Sequence, residues 1–154
     1  MPAPRTSPIE EVLEYNPDTG IIIWKHTNKE AGGPLGDYIG VTYNNKYYSS
    51  HRLAWYLYYG VWPTLEVDHI NGDKKDNRIT NLREIPHYQN QQNRRNPNSN
   101  SLTRLLGVTK DGSNYRARIT IIGKTISLGH YKTKEEAFAA YLTAKRELHE
   151  GCTI

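Results

Sequence analysis

The chain has 154 residues, with 20 Lys plus Arg against 16 Asp plus Glu, and a formal charge of +4. That length suits one domain or two small ones, and the mild positive bias suits polyanions without identifying one. Cys152 is the only cysteine, which excludes an intrachain disulfide and a cysteine-ligated zinc ribbon. No apolar run approaches the ~20 residues of a membrane span, and the start "MPAPRTSPIE" does not read as a signal peptide, so a soluble, intracellular protein is expected. Twelve Tyr and three Trp against one Phe favour half-buried sheets and ligand-touching surfaces, because such rings pack an apolar body and keep a polar tip.

In chain order, residues 8–63 mix strands with one helix. A turn on Pro17, Asp18 and Gly20 leads into a strand through Ile21–Trp24. "YIGVTYNNKYYSSH" predicts a hairpin whose turn, Asn44-Asn45, tolerates positive φ. "SHRLAWYLYYG" predicts a helix with Ser50 as its cap, Leu53 and Leu57 in the core, and Gly60 as its stop. His51 sits at the mouth of that helix and reads as a packing or capping histidine.

Residues 64–95 are dense in polar groups. "LEVDHI" predicts a short strand ending at Asp68-His69, "NGDKKDNRITN" a turn, and "LREIP" the returning strand of a hairpin. "HYQNQQNRR" then predicts a polar helix opened by Pro86. Residues 91–104 read as a linker by composition, with Arg94, Arg95 and Arg104 able to follow phosphates. Further on, "GVTK", "NYRARITII" and "KTISLGHYK" predict three antiparallel strands. Thr133 with Glu136 makes a capping-box pattern, and Ala137, Ala140, Tyr141, Ala144 and Leu148 form the apolar stripe of a closing helix.

Adjacent side chains of a strand point to opposite faces. Asp68 and His69 can therefore offer a carboxylate to a metal and an imidazole to a reacting water without competing. A hard cation prefers oxygen ligands and keeps several waters; an amide oxygen from the following helix is a second candidate ligand. Imidazole, with an ordinary pKa of ~6.5, can accept a proton from water near neutrality. On residue types alone, a turn-side Asp-His pair without chemistry remains open, while a calcium loop fails because "DHINGDKKDN" lacks alternating oxygen ligands and a closing Glu.

The run "HRLAWYLYYG" through "VDHINGDKKDNRITNLREIPHYQNQQNRR" resembles the HNH nucleases, especially phage and intron-encoded HNH homing endonucleases. That resemblance implies a ββα-metal core over about 64–95, with Mg²⁺ or another divalent cation such as Mn²⁺ as cofactor. It implies Asp68 as a metal ligand, His69 as general base, Asn81 as the residue that holds the loop and helps orient the histidine, and Asn90 as a second ligand. Many members have His where this chain has Asn90; His87, one turn earlier, is the rival. The family's zinc-binding cysteine pairs are absent. Arg78, Arg83, Arg94 and Arg95 become phosphate contacts.

Residues 105–150 resemble the plant ethylene-response-factor (APETALA-type) DNA-binding domain through "GV", "YRARI" and "LGHYKTKEEAFAAY", although that family's strand tryptophans are missing. Independently, Tyr115, Ala117 and Ile119 share one strand face and Arg116, Arg118 and Thr120 the other, which suits a sheet reading a major groove. Lys110 and Lys124 would flank phosphates.

The expected fold class is α+β: a ββα-metal nuclease region followed by a small three-stranded antiparallel sheet packed on one helix. The expected division is 8–95 for the nuclease region, 96–104 for the linker and 105–150 for the DNA reader. The expected function is metal-dependent hydrolysis of a phosphodiester in double-stranded DNA by a cytoplasmic monomer that nicks one strand, in a bacterial or phage-infected cell. The rivals are a DNA-binding regulator with a degenerate HNH site and a nuclease of low specificity.

Overall fold

The computed structural model describes residues 7–153, so the first six residues, part of the start read above for targeting, lie outside it. It is a mixed α and β chain of small antiparallel sheets, in two compact units divided between Ile85 and Pro86.

The first unit opens with helix α1 (Ile9–Val12) and strands β1 (Leu13–Tyr15), β2 (Ile22–Trp24) and β3 (Lys29–Glu30), paired in the order β1-β2-β3. The turn between β1 and β2 is built by Asn16, whose Oδ1 accepts from the N–H groups of Asp18 and Thr19 at 3.0 and 3.1 Å. A second sheet follows, β4 (Gly33–Leu35), β5 (Tyr38–Tyr43) and β6 (Lys46–Ser49). Its hairpin turns on Asn44 and Asn45, at φ 50° and 59°, the conformation that a two-residue turn with matching twist requires.

Strand β6 runs without a loop into helix α2 (Ser50–Tyr59). The cap position falls on Ser49 rather than Ser50, and neither serine caps through its side chain. Ser50 is drawn into the core, where its Oγ has no hydrogen-bond partner among the described residues. Gly60 ends the helix at φ 74°, as expected. Leu13, Val41, Leu53 and Ala54 form the centre of the core, and Val67 and Leu82 bring the next hairpin onto it. That hairpin is β7 (Glu66–His69) and β8 (Leu82–Ile85), in a register that sets Asp68 opposite Arg83 and His69 opposite Leu82. A 3-10 turn over Ile79–Asn81 leads into β8.

The second unit starts with α3 (His87–Gln92), preceded by Pro86. Its sheet has the order β11-β10-β9, from β9 (Val108–Asp111), β10 (Asn114–Ile121) and β11 (Lys124–Tyr131), and α4 (Lys134–Leu148) packs against it. Thr133 and Glu136 exchange both capping-box bonds, each at 3.2 Å. Ala117, Ile119, Ala137, Tyr141 and Ala144 are buried, with Phe138 beside them. The expected stripe fails at its end: Leu148 is exposed, and Lys145 is buried in its stead because its ammonium donates to the Arg94 carbonyl.

The same region differs from the expected division of the chain. The helix α3 bonds to the C-terminal tail, through Gln89 to Glu150 at 3.2 Å and through the Gly151 N–H to Gln92 Oε1 at 3.0 Å. The tract expected to be a tether is likewise fastened, with Asn93 and Thr103 buried and Thr103 Oγ1 donating to the Val108 carbonyl at 2.8 Å. Polar bonds do here what apolar contacts do elsewhere, so composition alone reads as linker.

Candidate active site

Alternation along β7 sorts the two central residues. Val67 and His69 are buried, while Glu66 and Asp68 face the partly exposed side. His69 retains only 4% of its surface, so its ring polar atoms need partners. Its Nε2 lies 3.0 Å from Oδ1 of Asn77, itself buried. A carboxamide oxygen can only accept, so Nε2 carries the hydrogen and the lone pair of the neutral ring falls on Nδ1.

Asn77 is in turn held by the start of the chain. The Tyr15 hydroxyl donates to its carbonyl at 2.7 Å, and burial pushes that phenol's pKa up, which keeps it a donor. Gly20, at φ 75°, packs so closely on the Asn77–Arg78 peptide that a Cβ would lie 2.5 Å from the Arg78 nitrogen. The Ile79 N–H donates to the Pro17 carbonyl at 3.1 Å. The β1–β2 turn thus supports the residue that supports His69.

The loop between β7 and β8 is closed by Asn81. Its Oδ1 accepts from the Asn71 N–H at 2.9 Å and its Nδ2 donates to the Asp76 carbonyl at 2.7 Å. Asp76 also takes the guanidinium of Arg78 and the amide of Asn71; the Arg78 bonds above all hold its carboxyl down at about 2. Asn81 therefore braces the loop, while the amide on the histidine belongs to Asn77, which the sequence reading missed. Arg78, expected on phosphate, is folded back onto Asp76.

Arg83 differs from expectation in the same way. Directly across the hairpin from Asp68, it donates to the Asp68 Oδ2 from Nε at 3.1 Å and from a terminal nitrogen at 2.9 Å. Both side chains are largely shielded, at 11% exposure for Asp68 and 25% for Arg83. The pairing fixes one oxygen of Asp68.

His51 also belongs to this neighbourhood. Its ring meets that of His69 edge-on with centroids 5.2 Å apart, and Tyr38 lies 5.5 Å from His51 and 6.3 Å from His69. Burial, and then the charges of His69 and Arg52, push the His51 imidazole down to about 4, so it is neutral at physiological pH. Lys74 reaches over the Tyr38 ring at 4.8 Å and pairs with Asp37 at 2.9 Å. Arg52, next to His51, ties α2 to the approach to β7 through the carbonyls of Pro63 and Leu65, at 2.9 and 3.0 Å.

Asn90 sits on α3 in the second unit, its N–H bonded to the Pro86 carbonyl at 3.2 Å. Its rival His87 accepts at Nε2 from the Gln91 amide, 2.7 Å away. Arg94 is occupied by the Asn96 carbonyl and the Asn98 side chain, and Arg95 by Thr153. On the sheet, Arg116 leans on Ser127 Oγ at 3.4 Å and Thr120 bonds Thr125 at 2.9 Å, with Lys110 and Lys124 exposed on the strands beside them. Arg118 lies partly buried on the same strand.

Among the described residues no group of three or more His, Cys, Asp or Glu gathers as a metal cage. A hard cation that keeps its waters needs fewer protein ligands, and a shielded carboxylate oxygen at Asp68 is the type of donor it takes. No helix among the described residues is long and apolar enough to cross a membrane.

Residues 48–92 match the model of the HNH endonuclease family. Among solved structures, the chain is similar to one described as "DNA binding and cleavage by the HNH homing endonuclease I-HmuI", at 27% identity and a TM-score of 0.42. The similarity covers 53% of this chain and 50% of that one, so the chain spans about half of its length. Comparison with curated proteins finds no match.

Proposed function

We propose that the protein is a DNA endonuclease of the HNH homing type, which hydrolyses one phosphodiester bond at the end of β7 and reads its target with the sheet of the second unit. The observation that carries this is the tautomeric state of His69: within the matched stretch, beside Asp68 on the same strand, with Nε2–H committed to Asn77, so that the neutral ring carries its lone pair on Nδ1. That is the state a general base needs. Nδ1 of His69 takes a proton from water, which attacks the phosphorus in line, opposite the leaving oxygen. Asn77 prevents the ring from presenting its other nitrogen, and Asn81 keeps the loop that carries Asn77 closed.

A divalent cation, Mg²⁺ or another such as Mn²⁺, held by Asp68 and by Asn90 from its motif position, would neutralise charge on the scissile phosphate and on the leaving 3′ oxygen. Arg83 holds the Asp68 side chain in place for that role. The outward face of the second unit's sheet, with Arg116, Lys110 and Lys124, is the DNA-reading surface, on the pattern of the ethylene-response-factor domain. The chain acts as a monomer.

The test is cleavage of long double-stranded DNA with Mg²⁺, with fragment ends mapped, by wild type and by His69→Ala. Wild type should cut at few positions and His69→Ala should not cut, while duplex affinity without metal stays within a few-fold. Binding without cleavage by wild type in any divalent metal would make the chain a regulator. Degradation at many positions would make it a nuclease of low specificity.

A further inference from the structure

Strand β10 is the middle strand of its sheet, so its side chains divide between two faces. Ala117 and Ile119 go under α4, and Arg118 and Thr120 go to the other side. Beyond the start of β9, the edge of β10 is bordered by the segment that precedes β9: the Arg118 N–H donates to the Gly107 carbonyl at 2.8 Å, Thr103 bonds Val108, and Lys145 of α4 bonds the Arg94 carbonyl. Two recesses result, of about 600 and about 530 Å³, which share Arg94, Leu106, Gly107, Arg118 and Thr120 as walls.

The charge of this trough has one sign. Lys110 joins Arg94 and Arg118 around the first recess, Lys145 joins them around the second, and among the described residues no Asp or Glu lines either. Arg118 is the telling side chain. It is only partly exposed, yet among the described residues its guanidinium makes no hydrogen bond and no ion pair. Arg78, Arg83, Arg94, Arg95 and Arg116 each have an acceptor. Nearby, buried His149 donates from Nε2 to the Thr120 carbonyl at 3.0 Å and has no partner at Nδ1 among the described residues.

A partly shielded guanidinium with no protein acceptor among the described residues is placed to take an anionic one. Its five N–H groups in a planar fork suit a doubly oxygenated anion, and phosphate fits best where hydroxyls such as Thr109, Thr120 and Thr125 add further donors. Two adjoining recesses along one strand suit an anion that repeats along a polymer. Resting on the reading of this sheet as a DNA surface, we infer that the trough seats the sugar–phosphate backbone of one DNA strand, with Arg118 gripping a single phosphate. Arg118 then fixes register and affinity, and Arg116, which lines neither recess, is left to read base edges.

The experiment uses the full chain without divalent metal and a pool of duplexes with a randomised centre, with binding measured across salt and the bound fraction sequenced. Arg118→Ala should weaken binding about tenfold for every sequence. It should also reduce the slope of log affinity against log salt by about 0.9, and enrich the same sequences as wild type. Arg118→Lys should keep the slope and lose part of the affinity, since an ammonium cannot grip two oxygens in a fork. Arg116→Ala should change the enriched sequences. A changed motif with an unchanged slope in Arg118→Ala, or no effect, overturns the assignment. Independently of any variant's folding, inorganic phosphate titrated into wild type should shift the Arg118 Nε–H resonance with saturation, and an unmoved resonance overturns the recess as an anion site. A phosphate response in a chain that binds no duplex overturns DNA as the occupant, and says nothing against cleavage chemistry at His69.

Discussion

Replacing Asn77 by alanine removes the acceptor of the His69 Nε2–H and leaves the backbone carbonyl that Tyr15 holds in place. Both partners are buried, at 4% exposure for His69 and 3% for Asn77, so water does not replace the lost bond at low cost. A buried donor without a partner costs about 1–3 kcal/mol. If that is felt wholly as loss of the reactive ring orientation, single-turnover cleavage falls about 5- to 150-fold. The same energy taken from the stability of the first unit lowers its Tm by about 4–8 °C per kcal/mol. The assay is single-turnover conversion of supercoiled plasmid in Mg²⁺, with duplex binding in its absence as the control for intact structure. Asn77→Asp retains an acceptor oxygen at the same place and should recover most of the rate lost in Asn77→Ala. Wild-type cleavage by Asn77→Ala, or an aspartate variant no better than the alanine one, would refute the reasoning.

Asn90→Ala should require more Mg²⁺ than wild type for half-maximal cleavage and recover in part when Mg²⁺ is raised, whereas His87→Ala should keep the wild-type requirement; the opposite result makes His87 the ligand. Supercoiled plasmid carrying the target should relax first to open circles, with linear product late, because one Asp68-His69-Asn90 set attacks one phosphodiester at a time. Prompt linearisation that rises with the square of enzyme concentration would show a dimer with two-fold symmetry instead.

What the sequence made legible is what is encoded within a few residues. Asn44-Asn45 announces its hairpin, Gly60 its helix end, and Thr133 with Glu136 its capping box, because each motif completes its own bonds locally. The Asp68-His69 strand end and its return at Leu82 are legible for the same reason. Asn77 was not. It lies in a tract with Asn71 and Asn81, and nothing in residue type tells which asparagine turns inward to the histidine; the turn at Gly20, far away in sequence, decides that. His51 was read as packing because its helix face is local, while the approach of its ring to His69 arises only when β7 docks on α2. Arg83 was within reach: drawing the hairpin register from the loop would have put it opposite Asp68. At Lys145, polarity argued for solvent, but one carbonyl acceptor at Arg94 was enough to bury the stem and ammonium.

The pairing of Asp68 with Arg83 bears on how an acidic residue can work beside a polyanion. A carboxylate next to a scissile phosphate is repelled by it. A guanidinium directly across the hairpin offsets that repulsion. It does so at small entropic cost, because the β7–β8 register already sets the two residues opposite each other. A carboxylate offers about four acceptor sites on two oxygens, and both Arg83 bonds go to Oδ2, so guanidinium and metal need not exclude each other. Arg83 is then more useful to the reaction where it is than extended to a DNA phosphate. On the proposed function, the cationic grip on the backbone falls to side chains such as Arg118, whose guanidinium has no acceptor among the described residues.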